Sequence, residues 1–154
     1  MKIGVPKEIK SQENRIGLTP ESVKILTSNG NEVMVENNGG FEAGFYNEQY
    51  KSAGAKIVDK AEDIFNDSEI IVKVKEPQSS EVKMIKENQI VFTYLHLAAA
   101  KELTKGLVDS KSVCIAYETV TDNNGRLPLL APMSAVAGRM SVQAGAHCLE
   151  KNQK

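Results

Sequence analysis

Short β-branched runs alternate with helix-patterned segments along most of the 154 residues, and that alternation leaves few architectures open. Strands are predicted over residues 2–5, 32–36, 56–58, 70–74, 90–95 and 113–117. Helices are predicted between them, over residues 48–53, 61–65, 80–86 and 101–108. The first helix has a full set of start and stop signals. Thr19 is placed to cap it, Pro20 suits its first position and Glu21 its first turn, and Asn29-Gly30 is a helix end. Strands that alternate with helices must run mostly parallel, because each return crosses the sheet through a helix. The expected fold is therefore α/β: a mostly parallel sheet flanked by helices, a three-layer domain of the flavodoxin or Rossmann kind. From Pro132 the pattern changes to a long helix rich in alanine and glycine, whose small side chains permit close packing. The expected organisation is a domain over 1–131 and a helix over 132–154.

Composition excludes several classes. The net charge of −1 gives no electrostatic reason to bind a polyanion, and basic and aromatic residues do not interleave as they would for nucleic acid. No apolar run approaches the roughly 18 residues of a membrane span, and the first ten residues carry no signal-peptide core. No His, Cys and acidic residues share metal-ligand spacing, so no metal is expected. Cys114 and Cys148 lack CxxC spacing and sit among apolar neighbours, which predicts buried free thiols and a reducing, cytoplasmic setting. Neither GxGxxG nor a Walker phosphate loop nor GxSxG occurs.

In open α/β sheets ligands bind outside the carboxyl ends of the strands, and three residues stand there. Arg15 lies in the polar loop after the first strand, where a guanidinium fork could grip a carboxylate. Lys75 ends residues 70–75, placed for an anion or a carbonyl oxygen. Alternation along this strand puts Ile71, Lys73 and Lys75 on one face. His96 ends residues 90–96 and can exchange a proton near neutral pH. Alone, each could be an ordinary solvated or core side chain. Together, a carboxylate clamp, a polarising cation and a proton-transfer group suit an amino or keto acid.

Five motifs in order then resemble the alanine dehydrogenases: MKIGVPKE at 1–8, ENRIGLTP at 13–20, VKVKEP at 72–77, YLHLA at 94–98 and APMS at 131–134. The resemblance implies reversible, NAD-dependent oxidative deamination of L-alanine to pyruvate and ammonia. It implies that Arg15 holds the substrate carboxylate, Lys75 binds substrate and polarises its carbonyl, and His96 donates and accepts the proton. It places Met133 near the nicotinamide and Ser134 against the dinucleotide. It further implies a homohexamer, and a nicotinamide-binding domain that would follow residue 154, so that these residues alone are expected to be inactive. Rival readings are the related domain of a proton-translocating transhydrogenase, a lysine-forming saccharopine dehydrogenase, and a non-catalytic binding or assembly module.

Overall fold

A computed structural model of the chain describes residues 1–151. It divides into two compact units, Met1–Ala116 and Tyr117–Lys154. The first holds six strands: β1 (Lys2–Val5), β2 (Glu32–Glu36), β3 (Lys56–Val58), β4 (Ile70–Val72), β5 (Ile90–Thr93) and β6 (Val113–Ala116). All five pairings are parallel, in the order β3-β2-β1-β4-β5-β6, so the expected mostly parallel sheet is wholly parallel.

The crossovers are helical: α1 (Pro20–Ser28), α2 (Asn47–Ser52), α3 (Ala61–Asp67), α4 (Ser79–Val82) and α5 (Lys101–Ser110). Thr19 caps α1 as its sequence position requires, its Oγ1 accepting from the Ser22 N–H at 3.3 Å. Gly30, at φ 79°, takes the left-handed conformation that ends the helix cheaply.

Strand alternation divides the apolar side chains between two faces. Val33 and Val35 join Ile3, Val5 and Val72 in one cluster with Val23 of α1 and Tyr50 of α2. Met34 faces the other way, into a cluster with Ile71, Val91, Ile64 and Phe65 of α3 and Leu107 of α5. This makes the three-layer arrangement over the centre of the sheet, while Val113 and Ile115 on the edge strand β6 remain exposed.

Three local expectations are corrected. The strand predicted over 70–74 stops at Val72, because β1 pairs with β4 only through Ile3↔Ile70 and Gly4↔Ile71 before the two chains part. The helix predicted over 80–86 is a single turn at Ser79–Val82. The cysteines are not buried thiols: Cys114 is half-buried on the edge strand, and Cys148 is exposed.

The second unit contains α6 (Ala131–Cys148), the small-residue helix. None of its residues is buried, so tight packing along it is not present among the described residues. Residues 152–154, the end of the helix expected over 132–154, lie outside the described residues.

Candidate active site

From the neighbouring strands β1 and β4 the chain winds outward in opposite directions, to β2 and β3 on one side and to β5 and β6 on the other. Crossovers leaving such a switch point diverge and open a crevice at the carboxyl ends of its strands. Arg15 lies in the loop after β1, Lys75 in the segment after β4, and His96 just beyond β5. The parallel sheet therefore brings all three to one rim.

The loop bearing Arg15 lies directly over the end of β4. A Cβ at Gly17 would stand 2.6 Å from the Val72 carbonyl oxygen and 3.2 Å from Lys73 Cα, so only glycine allows that approach. The guanidinium is held at one edge by Glu13, with Nε 2.7 Å from Oε1 and Nη2 2.6 Å from Oε2. This bidentate pair fixes the plane of the fork. The Arg15 hydrogen bonds outweigh the effect of burial and hold the Glu13 carboxyl down to about 2, and the charge of Lys75 nearby adds to that.

A carboxyl whose folded pKa lies below its ordinary 4.5 contributes stability that is complete above 4.5 and lost as pH falls towards 2. Glu13→Gln removes that contribution. The stability gap between wild type and Glu13→Gln, measured by urea denaturation, is expected to shrink as pH falls through this window. A gap independent of pH between 6 and 2.5 would contradict the assignment.

Lys75 is half-buried, and among the described residues its ammonium makes no hydrogen bond or ion pair. Its backbone is firmly held, by contrast. Thr93 Oγ1 donates to the Lys75 carbonyl at 2.9 Å, and the Lys75 N–H donates to Glu8 Oε1 at 3.3 Å. A cation on a fixed stem, near the Glu13 carboxylate but not hydrogen-bonded to it, is suited to an anionic or carbonyl ligand.

His96 adopts φ 50°, ψ 39°, a left-handed conformation uncommon outside glycine, though less so for histidine. Its ring stacks on Tyr94 with centroids 6.0 Å apart and planes 28° from parallel. Its Nδ1 lies 3.6 Å from Glu76 Oε2. Glu76 Oε1 accepts a hydrogen bond from Lys10 Nζ. Burial pushes the Glu76 carboxyl up, but the Lys10 hydrogen bond and the charges of Lys10 and His96 outweigh it and leave the group below the usual carboxylate range. An imidazole at the rim, with an ionised carboxylate beside one nitrogen, has the arrangement of a proton-transfer group.

Beneath these residues lies a buried ionic cluster. Lys73 is fully buried, and its Nζ stands 2.7 Å from Glu81 Oε1 and 3.1 Å from Glu8 Oε2. Residue-type reasoning singled out none of Glu8, Lys10, Glu13, Lys73, Glu76 and Glu81. The signals were present in two places: Glu13 stands two residues before Arg15, and Glu76 directly follows Lys75. Met133 and Ser134 lie in the first turn of α6, where the Ser134 N–H donates to the Leu130 carbonyl at 3.2 Å.

A guanidinium, an ammonium and an imidazole at the carboxyl ends of β1, β4 and β5 define a doubly wound α/β domain with a polar, charged rim. Residues 4–137 match the family described as "Alanine dehydrogenase/PNT, N-terminal domain", and the chain belongs to that family. It is 54% identical over 153 residues to the alanine dehydrogenase of Halomonas elongata, a match covering 99% of this chain and 41% of that protein. It is 50% identical to the alanine dehydrogenase of Methanococcus maripaludis, covering 99% and 41% respectively. A solved L-alanine dehydrogenase superposes with a TM-score of 0.94 at 52% identity, covering 99% of this chain and 42% of that one. A transhydrogenase structure from Sinorhizobium meliloti shares the fold, with a TM-score of 0.75 at 24% identity. The chain thus spans about two fifths of the length of the curated relatives it matches.

Proposed function

We propose that the complete protein is an alanine dehydrogenase, interconverting L-alanine with pyruvate and ammonia at the expense of NAD. The observation that most supports this reading is the placement of Arg15, Lys75 and His96 after the carboxyl ends of the neighbouring strands β1, β4 and β5. Arg15, its fork oriented by Glu13, takes the substrate carboxylate. Lys75 supplies the cation for the substrate's carbonyl oxygen and stabilises the negative charge that develops there. His96 carries the proton to and from that group.

The β1–α1 connection does not fit a dinucleotide. It is a long loop rather than a glycine-rich turn, and the Glu8 carboxylate occupies the backbone N–H groups at the β4 exit. NAD, the proposed hydride acceptor, is therefore assigned mainly to a domain other than residues 1–131. Met133 and Ser134, in the first turn of α6, are proposed to touch it. A homohexameric assembly and a cytoplasmic setting complete the proposal. Among the described residues no helix is long and apolar enough to cross a membrane.

The decisive assay is NADH formation from L-alanine, and its reverse with pyruvate and ammonia, by the complete protein. Absence of both would refute the reading. The 154-residue polypeptide by itself is expected to form no NADH from alanine, and a robust rate from it would overturn the assignment of NAD to another domain. Arg15→Ala is expected to raise KM for alanine and pyruvate by roughly 10- to 150-fold, the value of about 1.5–3 kcal/mol for hydrogen bonds to a charged group. Its KM for NADH should stay unchanged. Equal losses for both ligands would show that Arg15 does not read the carboxylate.

A further inference from the structure

We propose that Glu8 is a positioning residue for Lys75, with Lys73 as the counter-charge that lets it act from a buried site; the argument rests on the functional reading above. The cause lies in the topology. After Ile3↔Ile70 and Gly4↔Ile71 the strands β1 and β4 diverge, so the backbone beyond β4 has a strand on one side only. On that side Lys73 N–H donates to the Phe92 carbonyl at 3.1 Å, and Tyr94 N–H donates to the Val74 carbonyl at 3.3 Å. On the other side the N–H groups of Val74 and Lys75 face a gap where no strand runs. Buried donors left unmade are costly, and one atom takes both: Glu8 Oε1, at 2.6 Å from Val74 N and 3.3 Å from Lys75 N.

A carboxylate is unusual as a substitute for a strand. Glu8 and Lys73 are both buried, and the ammonium on the second oxygen of Glu8 makes the burial tolerable. Lys73 is also shared with Glu81, whose other oxygen accepts the Gln78 N–H at the start of α4. The two acids differ in what they touch. Glu81 ties Lys73 to α4, whereas of the two acids only Glu8 holds the Lys75 N–H.

With Thr93 on its carbonyl and Glu8 on its N–H, the Lys75 peptide is clamped from two neighbouring elements. Glu8 also belongs to the loop that carries Arg15, and Gly17 of that loop rests on Val72 and Lys73. The same carboxylate therefore sets the distance between the two groups assigned to the substrate's carboxylate and carbonyl. A displacement of about 1 Å at such a site can cost two orders of magnitude in rate.

The test uses the complete protein and compares Glu8→Ala and Glu8→Gln with Glu81→Ala. Glu8→Ala is expected to raise KM for pyruvate at least tenfold while leaving KM for NADH within twofold. Glu8→Gln, whose amide oxygen can still accept both N–H groups, is expected to recover a pyruvate KM within threefold of wild type. Glu81→Ala loses the same ammonium partner and is expected to lower the melting temperature with the pyruvate KM within twofold. A wild-type pyruvate KM in Glu8→Ala, or the same KM rise in Glu81→Ala, would overturn the proposal. If Glu8→Ala does not fold, Glu8→Asp keeps the charge but is too short to reach both donors, and a wild-type pyruvate KM there is equally fatal. If the wild type shows no turnover, the functional reading is what fails. Positioning is then read from amide hydrogen exchange, which Glu8→Ala should accelerate at least tenfold at Val74 and Lys75 but not at Ile71, and unchanged exchange there overturns it.

Discussion

His96→Ala in the complete protein is expected to lower kcat for alanine oxidation by about 10²- to 10⁴-fold, the usual value of a positioned acid–base group. KM for alanine should move less than threefold, because the carboxylate and carbonyl contacts are assigned to Arg15 and Lys75. The geometry favours a large effect. His96 stands at the rim in a left-handed conformation, stacked on the buried Tyr94 and with Glu76 at 3.6 Å from Nδ1. Non-glycine residues held in sparsely populated backbone regions are concentrated at functional sites. Steady-state kinetics in both directions measure the effect. Wild-type turnover in His96→Ala would end the acid–base assignment, while an equal loss in kcat and in substrate binding would show that His96 binds rather than transfers protons.

The second large effect concerns stability. Lys73→Met leaves the Glu8 and Glu81 carboxylates buried beside each other without the cation that both contact. Breaking a buried ion pair from one side costs about 3–5 kcal/mol, since a desolvated charge is left uncompensated. That is a large part of the stability of an ordinary domain, so Lys73→Met is expected to be marginally folded at best. The triple variant Lys73→Met, Glu8→Gln, Glu81→Gln removes all three charges and retains the oxygens that accept from Val74, Lys75 and Gln78. It is expected to recover most of the loss. Urea denaturation at neutral pH measures both. Wild-type stability in Lys73→Met would show that the cluster contributes nothing to folding. A triple variant as unstable as the single one would show that packing around Lys73, rather than charge, is what matters.

How much of this was legible in the residues follows their dependence on distant partners. The strands Lys2–Val5, Glu32–Glu36 and Lys56–Val58 were readable to the residue, because β-branched side chains and flanking turns act locally. The cap at Thr19 was equally local, since its partner is three residues away. The end of β4 was not: Lys73 and Val74 continue the strand's alternation, and only the divergence of β1 ends the strand. Lys73 was placed only by alternation, on one face with Ile71 and Lys75. Its burial depends on Glu8, 65 residues earlier, and no periodicity encodes such a pairing.

The amino-acid order alone determined the α/β class, the alternation of elements and the three residue types able to handle a small carboxylate. Those properties come from nearest-neighbour preferences and from the period of apolar side chains, which any stretch of chain expresses by itself. The tertiary structure alone decided that Glu76 stands beside His96, that Lys73 is buried between Glu8 and Glu81, and that Glu8 fills the gap at the switch point. Those outcomes depend on strand order and on buried donors seeking acceptors across the sheet, and both exist only once the chain has closed on itself.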